Sequence, residues 1–301
     1  MTPLEAPQPK ARASSQVGDA SFIASNGVIM VGNLLVATAK RLKTSSDSPR
    51  LDAEVLLAWT LGMDRMELLA NTDAFVDDKV EDFFSHIINL RRRGIPVAYI
   101  TGRQAFLDFD VEVTPHTLIP RPFTETLVTA LLDDLGNEQR VVADIGTGSG
   151  AIALALARHA PKCRLIGTDI SVPALQVAAA NARRLNLLRQ IDWRVGSLLA
   201  PLRPDDRVDT IVANLPYLPD KDLSEPSLRY EPRTALAGGA DGLVLLEQLF
   251  HQLGAHTSVK TLVVEILPTQ IDHVAHDFRT QGFTVEAVSD GYNHRGLIGR
   301  R

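Results

Sequence analysis

The feature that most constrains this chain is a regular alternation of short apolar segments with helical segments from Arg140 to the C-terminus. "RVVADIG" (140–146) has the composition of a strand buried on both faces, and "AIALALARHA" (151–160) follows it with the pattern of a helix. Such alternation predicts an α/β fold whose doubly wound, mostly parallel sheet is covered by helices on both faces. Two final apolar runs flank "GYNH" and predict an antiparallel hairpin at the sheet edge. Ligands of such sheets bind at the carboxyl ends of the strands.

The N-terminal third follows a different pattern. Apolar residues recur at helical spacing, as in "LDAEVLLAWTLGM", where Gly62 marks the end of a helix. In that helix the pattern places five apolar residues near one face: Leu51, Val55, Leu56, Trp59 and Leu61. This part contains no cluster of catalytic residue types, so we expect it to dock a substrate. We therefore predict a disordered tail (1–30), a small helical docking domain (31–94), a hairpin with a linker (95–128) and a cofactor-binding catalytic domain (129–301).

Composition narrows the classes of partner. The chain has 301 residues and a formal net charge of −5, and none of its apolar runs approaches the roughly 20 residues of a membrane helix. An acidic chain is poorly suited to coating nucleic acid, which needs concentrated lysine and arginine. The single cysteine, Cys163, cannot form an internal disulfide, which fits a reducing compartment. We expect a cytoplasmic monomer without stable nucleic-acid or membrane partners.

The segment "DIGTGSGAIAL" (144–154) predicts a cofactor site at the first crossover. It joins a strand to a helix, and its turn residues are Gly146, Thr147, Gly148, Ser149 and Gly150. Glycines allow a tight turn and close backbone approach, and the helix start presents free N–H groups. The spacing also satisfies a dinucleotide motif, so these glycines alone do not exclude NAD.

Two acids accompany the glycine loop. Asp144 immediately precedes it, where a carboxylate would repel a pyrophosphate but suit the ammonium of an amino-acid moiety. Asp169 ends the second strand and can accept hydrogen bonds from both ribose hydroxyls of a nucleoside. NAD and S-adenosylmethionine share that ribose, so Asp169 does not choose between them. The acids and the glycines together predict a nucleoside cofactor.

The segment "VANLPYLPD" (212–220) ends another strand on an asparagine, a leucine, a proline and a tyrosine. An amide or exocyclic amino nitrogen is a poor nucleophile because its lone pair is delocalised. Two acceptors for its N–H bonds would raise its electron density and fix its position. The side-chain oxygen of Asn214 and the backbone carbonyl of Leu215 are suited to that task, and Tyr217 can stack on a flat acceptor group. Pro216 holds Leu215 in an extended conformation.

Several segments together resemble the PrmC/HemK family of S-adenosylmethionine-dependent N5-glutamine methyltransferases, which act on peptide-chain release factors. The resemblance covers about residues 33–301, including "PVAYITGRQAF", "LIPRPFTETLV", "DIGTGSGAIALALA", "ANLPY", "YEPRTALAGGADGL" and "NHRGLIGR". It implies a class I methyltransferase domain, S-adenosyl-L-methionine as cofactor, and the glutamine of the Gly-Gly-Gln motif as acceptor. It also implies that a class 1 release factor is the partner.

The resemblance assigns roles residue by residue. Asn214 to Tyr217 would bind the target amide, with Asn214 also near the cofactor, while Leu198 would lie beside the adenine. Arg121 and Glu125 would help to shape the substrate site. Three positions depart from the family pattern, which has proline, an acid and aspartate where this chain has Leu215, Phe123 and Ser197.

Other functions remain open at this point. N6-adenine methyltransferases of DNA or RNA use a similar Asn-Pro-Pro-aromatic corner. A glutamine of a ribosomal protein is a second possible acceptor, and a non-catalytic adaptor that binds the cofactor is a third reading, motivated by Leu215 and Ser197. His273 and His276 are spaced for metal binding on a helix, but an exposed polar face explains them better, so we predict no metal.

Overall fold

The computed structural model describes residues 29–301, so the predicted tail falls almost entirely outside the described residues. Within the described part, the chain separates into two compact units, and the division lies between Gly102 and Arg103. This is later than the predicted end of the docking domain at residue 94, because a further short helix belongs to the first unit. No helix in residues 29–301 is both long enough and apolar enough to span a membrane.

The first unit is a small helical bundle with one pair of two-residue strands. Its elements are β1 (Ile29–Met30), α1 (Val31–Leu42), α2 (Pro49–Leu61), α3 (Arg65–Ala70), β2 (Phe75–Val76), α4 (Asp78–Arg92) and α5 (Val97–Thr101). The predicted stop of α2 is confirmed, since Gly62 caps it in the left-handed conformation with φ of 68°. Aspartate side chains cap α3 and α4 by accepting from backbone N–H groups.

The predicted apolar face of α2 is partly wrong. Leu51 is 45% exposed, whereas Asp52 and Glu54 are buried. Helix α2 packs against α1, α3, α4 and α5, so more than one of its faces is covered. The two buried acids are tolerated because arginines pair with them: Arg91 lies 2.7 Å from Asp52, and Arg65 lies 2.7 Å from Glu54.

The second unit contains a seven-stranded sheet and confirms the predicted α/β fold. Its elements are β3 (Arg103–Phe106), β4 (Phe109–Glu112), α6 (Pro122–Leu135), β5 (Val141–Ile145), α7 (Ala151–His159), β6 (Arg164–Asp169), α8 (Val172–Arg184), β7 (Ile191–Val195), β8 (Thr210–Ala213), α9 (Val244–Leu253), β9 (Thr261–Glu265), α10 (Ile271–Thr280), β10 (Thr284–Ser289) and β11 (His294–Arg300). The strand order is β10-β11-β9-β8-β5-β6-β7. Strands β5 to β9 are parallel, and β11 pairs antiparallel with both β9 and β10, as expected for a C-terminal hairpin.

The linker region is more ordered than the sequence suggests. The hairpin of β3 and β4 is present, but α6 already begins at Pro122, since proline fits the first turn of a helix. The carboxyl ends of the parallel strands meet at one edge of the sheet. Strand β6 ends at Asp169, β9 ends at Glu265, and Asn214 follows the end of β8. The topology therefore places these polar side chains along one edge.

Candidate active site

Two cavities open at this edge of the sheet and share Asn214 in their linings. The first extends along the glycine loop to Asp169 and Leu198. The second is lined by residues that include Arg121, Tyr217 and Glu265. Leu215 and Pro216 line the first cavity, so the NLPY segment forms the boundary between the two. A group held in one cavity can therefore meet a group held in the other at Asn214.

The glycine loop has the conformation that its sequence predicts. Gly146, Gly148 and Gly150 have φ of 73°, 56° and 84°, a region that other residues rarely adopt. A Cβ at Gly148 would meet nothing within 4 Å, so the loop backbone there borders open space. The N–H groups of Gly146 and Thr147 donate to the carbonyl of Thr168 at 2.9 and 2.8 Å. Strand β6 thus fixes the loop from behind.

Asp169 lines the first cavity and also holds the loop. Its carboxylate accepts from the backbone N–H of Gly148 at 2.9 Å and from that of Ser171 at 2.8 Å. Burial raises the pKa of Asp169, while these backbone hydrogen bonds oppose the rise. A carboxylate oxygen has more than one lone pair, so both oxygens can still accept from a ligand hydroxyl.

Asp144 lies beneath the loop, only 2% exposed, rather than in the cavity lining. One carboxylate oxygen accepts from the Thr147 hydroxyl at 2.6 Å and from the Ala153 N–H at 3.1 Å. The other, Oδ1, is buried and has no hydrogen-bond partner among the described residues. Burial raises the pKa of Asp144 to about 7. The contact of Asp144 with a cofactor ammonium stays a prediction.

The charge of the first cavity distinguishes between the cofactors that the glycines allow. Its lining, within residues 29–301, includes Asp169 and contains neither lysine nor arginine. Apolar walls come from Ile145, Ile170 and Leu198. An acidic, largely apolar cavity fits a nucleoside that carries positive charge better than one that carries a pyrophosphate. The residues present therefore fit S-adenosylmethionine, with its sulfonium and ammonium groups.

Asn214 is held by two side chains distant in sequence. Its Nδ2 donates to the hydroxyl of Thr124 at 3.2 Å and to Oε2 of Glu265 at 3.1 Å. Its Oδ1 is buried, and no donor in the described part of the chain reaches it. Buried polar atoms are almost always hydrogen-bonded, so a buried acceptor left open marks the place where a ligand N–H can bind.

Tyr217 and Glu265 form the floor of the second cavity. The Tyr217 hydroxyl donates to Oε1 of Glu265 at 2.9 Å. Burial, followed by the neighbouring Glu265 carboxylate, raises the pKa of Tyr217 well above its usual range. The phenol therefore remains protonated, and its hydroxyl is fixed on the same carboxylate that holds Asn214.

The backbone of the NLPY turn is held by the glycine-rich segment "AGGADGL" (237–243). A Cβ at Gly238 would lie 2.7 Å from the carbonyl oxygen of Pro216, and one at Gly242 would collide with that of Tyr217. The Tyr217 carbonyl also accepts from Nε2 of Gln270 at 3.1 Å. Only glycine permits this close approach, so the segment fixes the turn from outside.

The remaining predicted residues differ in their placement. Arg121 lines the second cavity and pairs with the buried Glu231 at 2.5 Å. Phe123 forms a buried apolar part of the same cavity wall. Glu125 lies in the first turn of α6 and lines neither of the two cavities. Leu198 lines the first cavity in a left-handed conformation with φ of 49°. Direct ligand contact by these side chains stays a prediction.

Sequence reasoning missed Thr124, Glu231 and Glu265. Each lies far in sequence from its partner, with 110 positions between Arg121 and Glu231 and 141 between Thr124 and Glu265. A local signal existed for Glu265, which is an acid in the otherwise apolar strand "TLVVE". An acid in a fully buried strand needs hydrogen-bonding partners and so indicates a functional site.

Comparison with known proteins follows the same division of the chain. Residues 33–102 match the family model of the PrmC N-terminal domain, and residues 142–227 match that of a methyltransferase domain. A release factor glutamine methyltransferase from Aliivibrio fischeri is 41% identical over 260 residues, covering 85% of this chain and 91% of that protein. One from Moorella thermoacetica is 46% identical over 200 residues, covering 65% and 70%.

Solved structures show the same fold at greater distance. The catalytic domain of human Mettl16, in complex with a 3'UTR hairpin, has a TM-score of 0.54 at 16% identity, covering 76% of this chain and 83% of that chain. A likeness at this identity concerns the fold alone.

The parallel sheet, the glycine loop at its first crossover and the adjoining asparagine define a class I methyltransferase that depends on S-adenosylmethionine. The relatives make the assignment more specific. This chain belongs to the release factor glutamine methyltransferase family.

Proposed function

We propose that this enzyme methylates the side-chain amide nitrogen of a glutamine, the one in the Gly-Gly-Gln motif of class 1 peptide-chain release factors. The acceptor is supported by the names of the relatives, one of which is matched over 94% of its length, and by the resemblance in the site motifs. Asn214 carries the proposal on the structural side, because it lines both cavities and its buried Oδ1 has no hydrogen-bond partner among the described residues.

S-adenosylmethionine would supply an electrophilic methyl group carried on a sulfonium. The glycine loop would hold its amino-acid moiety, Asp169 its ribose, and Leu198 with Ile170 its adenine. These assignments are supported by the lining of the first cavity, which contains all of these residues.

The chain's own contribution to the reaction is orientation and electron density. In our proposal, Oδ1 of Asn214 and the carbonyl of Leu215 accept the two N–H bonds of the target amide, which positions its nitrogen toward the first cavity. The Tyr217 ring covers the flat amide and excludes water. After transfer, the methylated nitrogen carries a positive charge and releases one proton to solvent. No residue has to act as a base before the attack.

Tritiated S-adenosylmethionine, purified release factor and peptide mapping test this proposal. We expect label on the glutamine of the Gly-Gly-Gln motif and none on a factor in which that glutamine is replaced by alanine. Ribosomal proteins and single- and double-stranded DNA and RNA serve as competing acceptors. Label on one of these with none on the release factor would overturn the proposal.

We also propose that the enzyme acts in the cytoplasm as a monomer and without stable binding to nucleic acid. The acidic composition supports the lack of nucleic-acid binding, and the single cysteine fits a reducing compartment. Sedimentation at micromolar concentration should give a mass near 32.8 kDa. A stable dimer would contradict the monomer.

A further inference from the structure

Glu265 is the most completely bonded side chain of the site. It ends strand β9 and is 2% exposed. Its Oε2 accepts from the Thr124 hydroxyl at 2.7 Å and from Nδ2 of Asn214 at 3.1 Å, and its Oε1 accepts from the Tyr217 hydroxyl at 2.9 Å. One buried carboxylate therefore connects helix α6, the end of strand β8 and the NLPY turn.

This arrangement determines which way the Asn214 amide faces. An ionised carboxylate only accepts hydrogen bonds, so it must face the NH₂ group of Asn214. Thr124 gives its proton to Glu265 and therefore presents lone pairs to the same NH₂ group. A flipped amide would place Oδ1 against a carboxylate oxygen. Oδ1 is thereby directed to the opposite side, where it is buried and has no hydrogen-bond partner among the described residues.

The same contact changes the strength of Asn214 as an acceptor. A hydrogen bond to an ionised group is stronger than a neutral one, and linked hydrogen bonds polarise one another in a buried site. When Glu265 accepts from Nδ2, electron density in the amide moves toward Oδ1. Oδ1 then binds a donor N–H more strongly than the oxygen of an isolated asparagine.

We propose that Glu265 is a positioning residue for methyl transfer, whose carboxylate orients and polarises Asn214 for the target amide. Glu265 acts through Asn214, without contact to the transferred group. This role rests on the proposed function, since it concerns the binding of an amide nitrogen at the same site.

The role requires the ionised form of Glu265. Tyr217, Arg121 and Arg295 are the titratable or charged groups that act on it from the neighbouring elements, and burial raises its pKa against the opposing effect of the hydrogen bonds from Thr124 and Tyr217. The cavity lining also includes the acids Asp222, Glu225 and Asp290. Because the active form is deprotonated, turnover should fall as the pH falls through the pKa of Glu265.

The test compares Glu265→Gln in the full chain with Glu286→Gln, which removes an exposed acid of strand β10. We expect Glu265→Gln to lower kcat for the release factor at least about tenfold. This loss should be smaller than the loss caused by deleting a group that contacts the target amide directly. The KM for the factor and the affinity for S-adenosylhomocysteine should change less than kcat. The acid limb of the pH profile should disappear. Glu286→Gln should retain the wild-type kcat and profile.

Glu265→Gln with wild-type kcat and an unchanged acid limb would overturn the role. If the wild-type enzyme transfers no methyl group to release factor, the proposed function fails, and NMR then decides the role of Glu265. The side-chain amide protons of Asn214 should exchange slowly with solvent in the wild type and faster in Glu265→Gln. Equal exchange in both proteins would show that Glu265 does not hold the amide.

Discussion

The two ends of the Asn214 side-chain amide differ in their hydrogen bonding. Its NH₂ group is fully bonded, while its oxygen is buried without a partner in residues 29–301. Leaving a buried acceptor unsatisfied costs about 1–3 kcal/mol. This cost is removed when an N–H group of the substrate donates to Oδ1. The unsatisfied oxygen therefore favours binding of the methyl acceptor.

Asn214→Ala removes that oxygen and should lower kcat at least about 100-fold, the scale of a single positioned hydrogen-bonding group. Affinity for S-adenosylhomocysteine, measured by calorimetry, should change little, because the glycine loop and Asp169 are intact. The matched control is Asn293→Ala, an asparagine that lines the second cavity away from its junction with the first. Similar turnover in both variants would remove Asn214 from the mechanism.

Asp144 gives a prediction for stability against pH. Its pKa is about 7 in the folded protein against 3.8 for the unfolded chain, because burial disfavours the charged form. Between pH 3.8 and about pH 7, Asp144 binds more protons in the folded state than in the unfolded state. Its contribution to the free energy of unfolding therefore falls as the pH rises. The full effect, reached above pH 7, is at most about 4 kcal/mol.

Asp144→Asn keeps an acceptor for Thr147 and Ala153 but cannot ionise. In urea unfolding without cofactor, we expect the mutant to gain stability over wild type, and the gain should be larger at pH 8 than at pH 5. Other ionisable groups cancel in this difference. A difference that does not vary with pH would show that Asp144 ionises normally in the folded state.

At the scale of elements, the geometry of the site depends on segments that carry none of its chemistry. The NLPY turn is rigid because Gly238, Gly242 and Gln270 pack against its backbone. Leu215, which replaces a proline, is 5% exposed and would lie 3.1 Å from a Cβ on Gly146. Packing between two loops thus supplies restraint that the missing proline ring would have given.

Gly242→Ala tests the contribution of this packing. Gly242 and Gly282 both have φ of 84°, but a Cβ at Gly242 would collide with the Tyr217 carbonyl, whereas one at Gly282 has nothing within 4 Å. Both variants should lose roughly 1–2 kcal/mol of stability from backbone strain, and Gly242→Ala should lose more because of the collision. We expect Gly242→Ala alone to lower kcat strongly, with cofactor affinity retained. Equal kinetics in the two variants would contradict a positioning role of the segment.

The sequence predicts what is local and misses what depends on tertiary packing. The glycine loop, Asp169 and the NLPY corner lie at predicted junctions of strands and helices, so their place at one sheet edge follows from topology. Thr124 and Glu265 have no periodic or motif signal that connects them with Asn214. The prediction for α2 fails in a similar way, since the burial of Asp52 depends on Arg91 of another helix.

At the scale of the whole molecule, both cavities lie in residues 103–301, and the helical unit has a core of its own that includes Leu35, Leu57 and Ile88. A single glutamine side chain offers few atoms for selective binding. Specificity for a protein acceptor therefore requires a second surface. The helical unit is our candidate for that surface.

Removal of residues 1–102 should leave the affinity for S-adenosylhomocysteine largely intact and raise KM for the release factor steeply. A short Gly-Gly-Gln peptide should be a poor substrate of both the full and the truncated enzyme. Circular dichroism and cofactor titration report whether the truncated protein is folded. Equal methylation of peptide and whole factor by the full enzyme would contradict docking by the helical unit.

The open oxygen of Asn214 has a further consequence for a glutamine acceptor. Spontaneous deamidation turns glutamine into glutamate, which has nearly the same shape but has lost both N–H donors. Its carboxylate would bring negative charge against Oδ1 of Asn214 and, behind it, the Glu265 carboxylate. A site built to accept a hydrogen bond from a substrate N–H rejects analogues that lack this donor by factors of about 10⁴ or more. A glutamate has no nitrogen to receive the methyl group, so the consequence concerns binding: chemically aged release factor would not occupy the site and compete with the intact factor.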